Sequence, residues 1–243
     1  MTPAATTPAY RRLSVEARRG QLLDAALSLF AHRSPDDVSL DDVAEAAGVS
    51  RPLVYRYFPG GKQQLYEAAL HSAADLLRQC FAEPAEGPLT ERLLHALDRY
   101  LAFVDGHGTG FAALLHGGSV VGTSRTSAIV DGVRRAAAEQ ILGHLGVPEP
   151  GAHLGMAVRT WISSVEAASL IWLDEGKRLP AAELRDWLVE QFVAQLATAA
   201  THDEQTAGVV RHAVALEAQG GMLDRFLQRI APLLDGSDRA APA

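Results

Sequence analysis

The side chains of residues 39–62 that can do chemistry are hydrogen-bond donors rather than nucleophiles. Arg51, Tyr55, Arg56, Tyr57 and Lys62 crowd into one short stretch, with Pro52 and Leu53 among them and Ser39 and Ser50 upstream. An arginine guanidinium bonds the O6 and N7 of guanine bidentately, discriminating against the wrong base by about one to two orders of magnitude. Tyrosine hydroxyls and a lysine ammonium bond phosphate oxygens, contacts that set register rather than sequence preference. Pro52 and Leu53 offer apolar contact suited to a thymine methyl. Together these groups suit the grooves and backbone of duplex DNA.

Such groups act only if helices hold them. Ser39 stands three residues before Asp42, an acidic form of the capping box, and so opens a helix. Val43, Ala44 and Ala47 give that helix a small apolar face. Gly48 can take the left-handed conformation that ends it, Val49 plugs the turn, and Ser50 is the N-cap of a second helix whose first turn carries Pro52. In the second helix Val54 and Phe58 point inward. Arg51, Pro52 and Tyr55 share another face, with Arg56 beside them, as in a recognition helix that enters the major groove.

The run AEAAGVSRPLVYRYF, followed by a lysine and the helix QQLYEAAL, resembles the DNA-binding domain of the TetR/AcrR family of transcriptional regulators. The resemblance spans about residues 14–70. It implies an all-α homodimer: three N-terminal helices bind operator DNA, and a larger helical domain binds a small molecule and holds the dimer together. Carried over by position, Ser39, Arg51, Pro52, Leu53, Tyr55, Tyr57 and Lys62 are expected to face DNA. Two features depart from the family pattern. Phe58 and Lys62 are separated by one residue more than is usual, with Gly60 and Gly61 between them. Asp41 stands near a DNA-facing position that is usually basic or neutral; it either accepts from cytosine N4 or serves the helix N-terminus.

The net charge of −7 looks adverse for a DNA binder until it is divided along the chain. Residues 1–62 hold eight Lys or Arg against seven Asp or Glu, and the rest holds fourteen against twenty-two. Binding then depends on local placement: Arg11 and Arg12 on a flexible arm (1–13), Arg18 and Arg19 after it, and Arg51, Arg56 and Lys62 at the motif. A chain of 243 residues, 48% hydrophobic, can bury a large core. Its apolar runs are broken before the roughly 20 residues that span a bilayer, and MTPAATTPAY has no apolar signal core, so a cytoplasmic protein is expected. The single cysteine, Cys80, cannot form an internal disulfide and lies on an apolar helix face, so it reads as a buried thiol rather than a redox sensor.

The helical periods place a supporting helix over 14–32, a connecting helix over 62–81, and further helices over 89–105, 111–115, 124–145, 153–174, 181–200, 203–219 and 222–234. The expected domains are the DNA-binding head (14–61) and the ligand-binding and dimerisation body (62–234), with a disordered tail (235–243). Val158, Ile162, Val165 and Ser169 form one row, and Leu184, Leu188, Gln191, Phe192 and Gln195 another; both are assigned to a four-helix dimer interface. The apolar stripe of the last helix is expected to be buried, completing the core and enlarging that interface. Candidate effector contacts are Phe103, His107, Phe111, His116, Arg159, Trp161, Glu166 and Trp172. Arg125, Arg134 and Arg135 could attract an acidic ligand, and a solvated helix face is the preferred reading of them.

The chain shows no HExxH, no Cys/His metal spacing, no GxSxG and no GxxxxGK[ST], so no catalytic residue, metal or cofactor is assigned. The expectation is a ligand-responsive repressor that binds a palindromic operator as a homodimer and is released by a small-molecule effector. A DNA-binding regulator without a ligand switch is the alternative, and a helical carrier or enzyme is the third.

Overall fold

Ser39 and Asp42 form the capping box that their spacing predicts. The Asp42 N–H donates to Ser39 Oγ (3.1 Å), and the Ser39 N–H donates back to Asp42 Oδ2 (2.7 Å). Helix α2 (Leu40–Ala46) follows and ends at Gly48, whose φ of +61° is the left-handed conformation a side chain would resist. The Val49 N–H then reaches the Ala44 carbonyl (2.8 Å) and closes the turn. Ser50 has the extended backbone of an N-cap but makes no side-chain cap bond; Leu53 and Val54 donate to its carbonyl instead. Helix α3 (Arg51–Tyr57) leaves that turn with Val54 and Phe58 fully buried.

The computed structural model describes residues 13–30, 33, 35–81, 87–116, 124–217 and 219–234, and the side chains of these except Pro35, 107–116 and 124–127. Arg11 and Arg12, nearly all of the N-terminal arm and the tail 235–243 lie outside the described residues. Helix α1 (Val15–Phe30) and a 3-10 turn (Pro35–Asp37) precede α2. After α3 come α4 (Gly61–Cys80), α5 (Leu89–His116), α6 (Ser124–His144), α7 (Ala152–Asp174), α8 (Ala181–Ala200), α9 (Glu204–Leu216) and α10 (Met222–Leu234). No strand occurs among the described residues, and no helix there is long and apolar enough to cross a membrane.

Two hydrophobic cores divide the helices. The head core joins Leu22, Ala26 and Phe30 of α1, Val43 of α2, Val54 and Phe58 of α3, and Leu65, Tyr66, Ala69, Leu70 and Ala74 of α4. It also takes in Ile129 of α6. The body core collects α5, α7 and α8 around Val104, Val158, Trp161, Leu188 and Phe192. Leu27 and Val133 pack against both. The head is thus seated on the body through apolar contacts of α1, α4 and α6, not hung from a linker.

Three expectations differ from the structure. The helix expected over 89–105 and the segment expected over 111–115 are one element, since α5 runs through Gly106, Gly108 and Gly110 to His116. A helical glycine costs only about 1 kcal/mol relative to alanine, which tertiary packing offsets. The rows assigned to the dimer interface are inside the protomer: Val158, Ile162, Val165, Ser169, Leu184, Leu188 and Phe192 are all buried, and only Gln191 and Gln195 are half-exposed. α7 and α8 use this apolar stripe against each other and α5. The Trp161 and Phe192 rings lie 4.5 Å apart, and Trp161 Nε1 donates to the Leu188 carbonyl (2.8 Å). Finally, the protomer covers the stripe of α10 only in part: Met222 and Leu223 are buried, Phe226 and Ile230 half-buried, and Leu227 and Leu233 are 46% and 82% exposed.

Candidate nucleic-acid interface and ligand cavity

Because Val54 and Phe58 are drawn into the head core, the opposite side of α3 must face out. Arg51, Pro52, Tyr55 and Arg56 are exposed there, with Ser39 and Ser50 exposed nearby and Leu53 half-buried. Tyr57 is half-buried against the head core, so its ring supports the helix while its edge remains accessible. The guanidinium of Arg19 lies 5.6 Å from the centroid of the buried Phe58 ring.

Arg51 is held rather than free. Its Nη1 lies 3.0 Å from Asp41 Oδ2, its Nη2 donates to the Tyr55 hydroxyl (3.5 Å), and the guanidinium sits 5.6 Å from the Tyr55 ring centroid. The bond to Tyr55, then the charge of Asp41, pushes the Arg51 pKa further up. Asp41 therefore has a role that neither sequence reading named: it crosses the turn and orients the arginine. Ten residues separate the two in sequence, and only the left-handed turn at Gly48 brings them together, so no local period reveals the pair.

Lys62 follows the extra glycine. Gly61 takes a φ of +71°, with its N–H on the Phe58 carbonyl (2.9 Å), so the longer loop closes as a left-handed turn at the start of α4. Lys62 Nζ donates to the Asp36 carbonyl (2.7 Å), tying α4 to the 3-10 turn. Arg33 is a further brace: its Nη1 is 3.0 Å from Asp42 Oδ1, and it also bonds the Asp37 carbonyl. The Ser39 hydroxyl, and next Arg33, hold the Asp42 carboxyl well below the usual carboxylate range. Gln21 Nε2 donates to the Ala47 carbonyl (2.8 Å), fixing α1 to the end of α2. The result is a braced head with a polar outer face.

Below the head, α4, α5, α6 and α7 enclose a cavity of about 110 Å³. Its walls are almost wholly carbon: Leu70, Ala74 and Leu77 of α4, Leu93 and Leu97 of α5, Ile129, Val133 and Ala137 of α6, and Ile162 and Val165 of α7 among them. Of the effector candidates, Trp161 and Glu166 line this cavity. Phe103 and Trp172 do not; both are core residues, and Trp172 Nε1 is committed to the Leu179 carbonyl (2.7 Å). Arg159 is exposed and lines a separate groove. The side chains of His107, Phe111 and His116 lie outside the described residues.

Apart from Glu166, and from Arg134, which the sequence offers as a group that could attract an acidic ligand, the polar groups of the cavity lie outside the effector candidates. Arg92, Tyr100, Arg134, Gln140 and His144 all line it. Arg134 keeps 40% of its side chain in solvent and is also paired: its Nε and Nη2 fork onto Glu166, at 3.0 Å and 2.8 Å to Oε2. Arg92 is buried and donates to the His144 carbonyl (3.4 Å from Nη2). Burial pushes the Tyr100 phenol well above its ordinary pKa, so it stays protonated. A cationic residue on one helix and its acid on another share no sequence period, so pattern alone could not pair them.

Comparison with known proteins agrees with this architecture. Residues 22–69 match the family described as bacterial regulatory proteins, tetR family, and residues 89–195 match the tetracyclin repressor-like C-terminal domain. A crystal structure of a tetR-family transcriptional regulator from Streptomyces coelicolor is 52% identical, with a TM-score of 0.85, covering 91% of this chain and 99% of that one. The activator FasR of Mycolicibacterium smegmatis is 33% identical over 113 residues, 45% of this chain and 50% of that protein; the chain thus matches half the length of this curated relative. The fold alone is shared with FadR of Bacillus subtilis, solved in complex with stearoyl-CoA, at 15% identity and a TM-score of 0.60, over 72% of this chain and 98% of that one. The braced helix-turn-helix, the all-helical body and these matches together show that the chain belongs to the TetR family of transcriptional regulators.

Proposed function

We propose that the chain is a ligand-responsive repressor that binds a palindromic operator as a homodimer in the cytoplasm and releases it when an effector fills the α4–α7 cavity. One observation carries the reading: the cavity lies directly against the core of the DNA-binding head. Leu70, Ala74 and Ile129 belong to the head core and also line the cavity, and Val133 packs on both cores. An occupant that moves α6 therefore moves a wall of the head. It acts as far as it prefers the arrangement that does not fit DNA, which is a shift of population rather than a push.

The dimer supplies the affinity that one weakly charged head lacks. Two recognition helices about 34–36 Å apart read two half-sites on one face of the duplex, and their linkage raises avidity. The surface for the second copy is the outer face of α7 and α8, opposite the buried rows. Met156, Thr160, Ala167 and Ile171 are exposed on one side of α7, and Trp187, Ala194 and Thr198 on one side of α8. Met156, Ile171 and Trp187 are half or more exposed there, at 65%, 56% and 50%. Small residues between large apolar ones permit close helix packing.

The test is direct. Duplex DNA flanking the protein's own coding sequence is titrated by fluorescence anisotropy at several salt concentrations, and a chemically diverse panel is screened for release. Salt-sensitive, sequence-selective binding with release by a subset of compounds is expected. Selective binding that no compound in a broad panel relieves would leave a regulator without a ligand switch.

A further inference from the structure

The α4–α7 cavity is one of two chambers that share a wall. Outside it, α6 and α7 form a groove of about 610 Å³ lined by Asp131, Arg135, Glu139, Arg159 and Ser163, among others. Arg134 and Ile162 line both the groove and the cavity. These two side chains stand between the two spaces, and the guanidinium is held there by its fork onto Glu166, which lines the cavity. The two sides of that partition differ sharply in chemistry.

The inner side offers carbon, and a charge placed there without a partner would be costly. The outer side offers cations. Arg135 and Arg159 are exposed and held by no ion pair among the described residues. Of the acids in the groove, Asp131 is engaged with Arg134 (3.4 Å), which leaves Glu139 against two arginines. A purely apolar compound would satisfy the cavity and ignore the groove, whereas a small anion would use the groove alone.

Resting on the ligand-switch reading above, we propose that the effector is an anionic amphiphile. Its apolar tail fills the cavity, and its carboxylate, phosphate or sulfate head lies in the groove on Arg135 and Arg159. Its path crosses the Arg134–Glu166 pair, and the head competes with Glu166 for the guanidinium, since planar forked donors accept carboxylate and phosphate alike. Opening that pair loosens the α6–α7 seam at the helix that carries Ile129 into the head core.

The experiment uses the full chain and three probes: decanoate, decanol and acetate. Binding is measured by calorimetry, and release of operator DNA by anisotropy. Decanoate is expected to bind at least about tenfold more tightly than decanol, with acetate undetectable. The Arg135→Gln/Arg159→Gln variant, altered at two exposed positions, should bring decanoate to the level of decanol and leave decanol unchanged. Equal affinity of the two ten-carbon probes, an unaltered preference in the double variant, or no binding of decanoate would each overturn the proposal. Decanol that binds and releases DNA as well as decanoate removes the head group but leaves the switch standing. Decanoate that binds as expected without releasing DNA upholds the amphiphile and refutes the switch.

Discussion

Filling the cavity separates its role as an effector site from its role in the core. Ala137 lies on α6, is 5% exposed and lines the cavity beside Val133, Arg134 and Ile141. Replacing it with leucine adds three carbons to a space of about 110 Å³ with carbon walls. At about 0.8 kcal/mol per buried methylene the upper bound is ~2.4 kcal/mol, and imperfect fit reduces this to about 1–2 kcal/mol of stabilisation. For a chain of this length that raises Tm by roughly 2–8 °C. The added side chain occupies the volume an effector needs, so Ala137→Leu should hold operator DNA with unchanged affinity while requiring at least about tenfold more effector for release. Thermal unfolding followed by circular dichroism gives the first number, and anisotropy of labelled operator gives the others. A variant that is stabilised yet releases DNA at the wild-type effector concentration would show that the effector binds elsewhere. One that loses more than about 1 kcal/mol would show that the cavity walls cannot accept added volume, contradicting the packing described.

Three further outcomes follow from the contacts. Asp41→Asn frees the Arg51 guanidinium and removes a negative charge near the phosphates; binding to unrelated duplex should strengthen while the ratio of operator to unrelated affinity falls severalfold, and an unchanged ratio in anisotropy titrations would contradict the brace. Asp42 has a folded pKa held below the unfolded value of about 3.9, so its contribution is complete well above that pH and fades as pH falls below about 4. The urea midpoint of Asp42→Asn should then lie below wild type at pH 7, with the gap narrowing at pH 3.5; a constant gap would be inconsistent with ionisation as its source. Trp187→Glu, at a position half-exposed in the protomer, should leave the helical content intact and shift sedimentation from dimer to monomer, and an unaffected dimer would exclude the outer face of α7 and α8.

The head was legible because its determinants are local. A cap three residues from its partner, a glycine at the turn and inward residues four apart are all visible within one window, and the structure realises each of them at Ser39, Gly48, Val54 and Phe58. The contacts that tune the head were not, since Asp41 meets Arg51, and Arg33 meets Asp42, only through the fold. In the body the helix periods were legible but their partners were not. Val158 and Leu188 show an apolar stripe, and a stripe states that a face is buried without stating whether by the same chain or a second copy. The cavity illustrates the same limit: its carbon walls come from four helices, and its Arg134–Glu166 pair joins residues on α6 and α7 that nothing in either helix alone connects.

The central claim is that two copies of the head read an inverted pair of half-sites through Arg51. Selection from a library of randomised duplexes tests it most directly, carried out with the wild-type chain and with Arg51→Ala under the same salt conditions. The account predicts that wild type enriches an inverted repeat with half-site centres about 10–10.5 base pairs, or a multiple, apart. Arg51→Ala should enrich the same repeat with one base pair degenerate in each half-site. Enrichment of no repeat by the wild type, or an identical motif from both proteins, would contradict it.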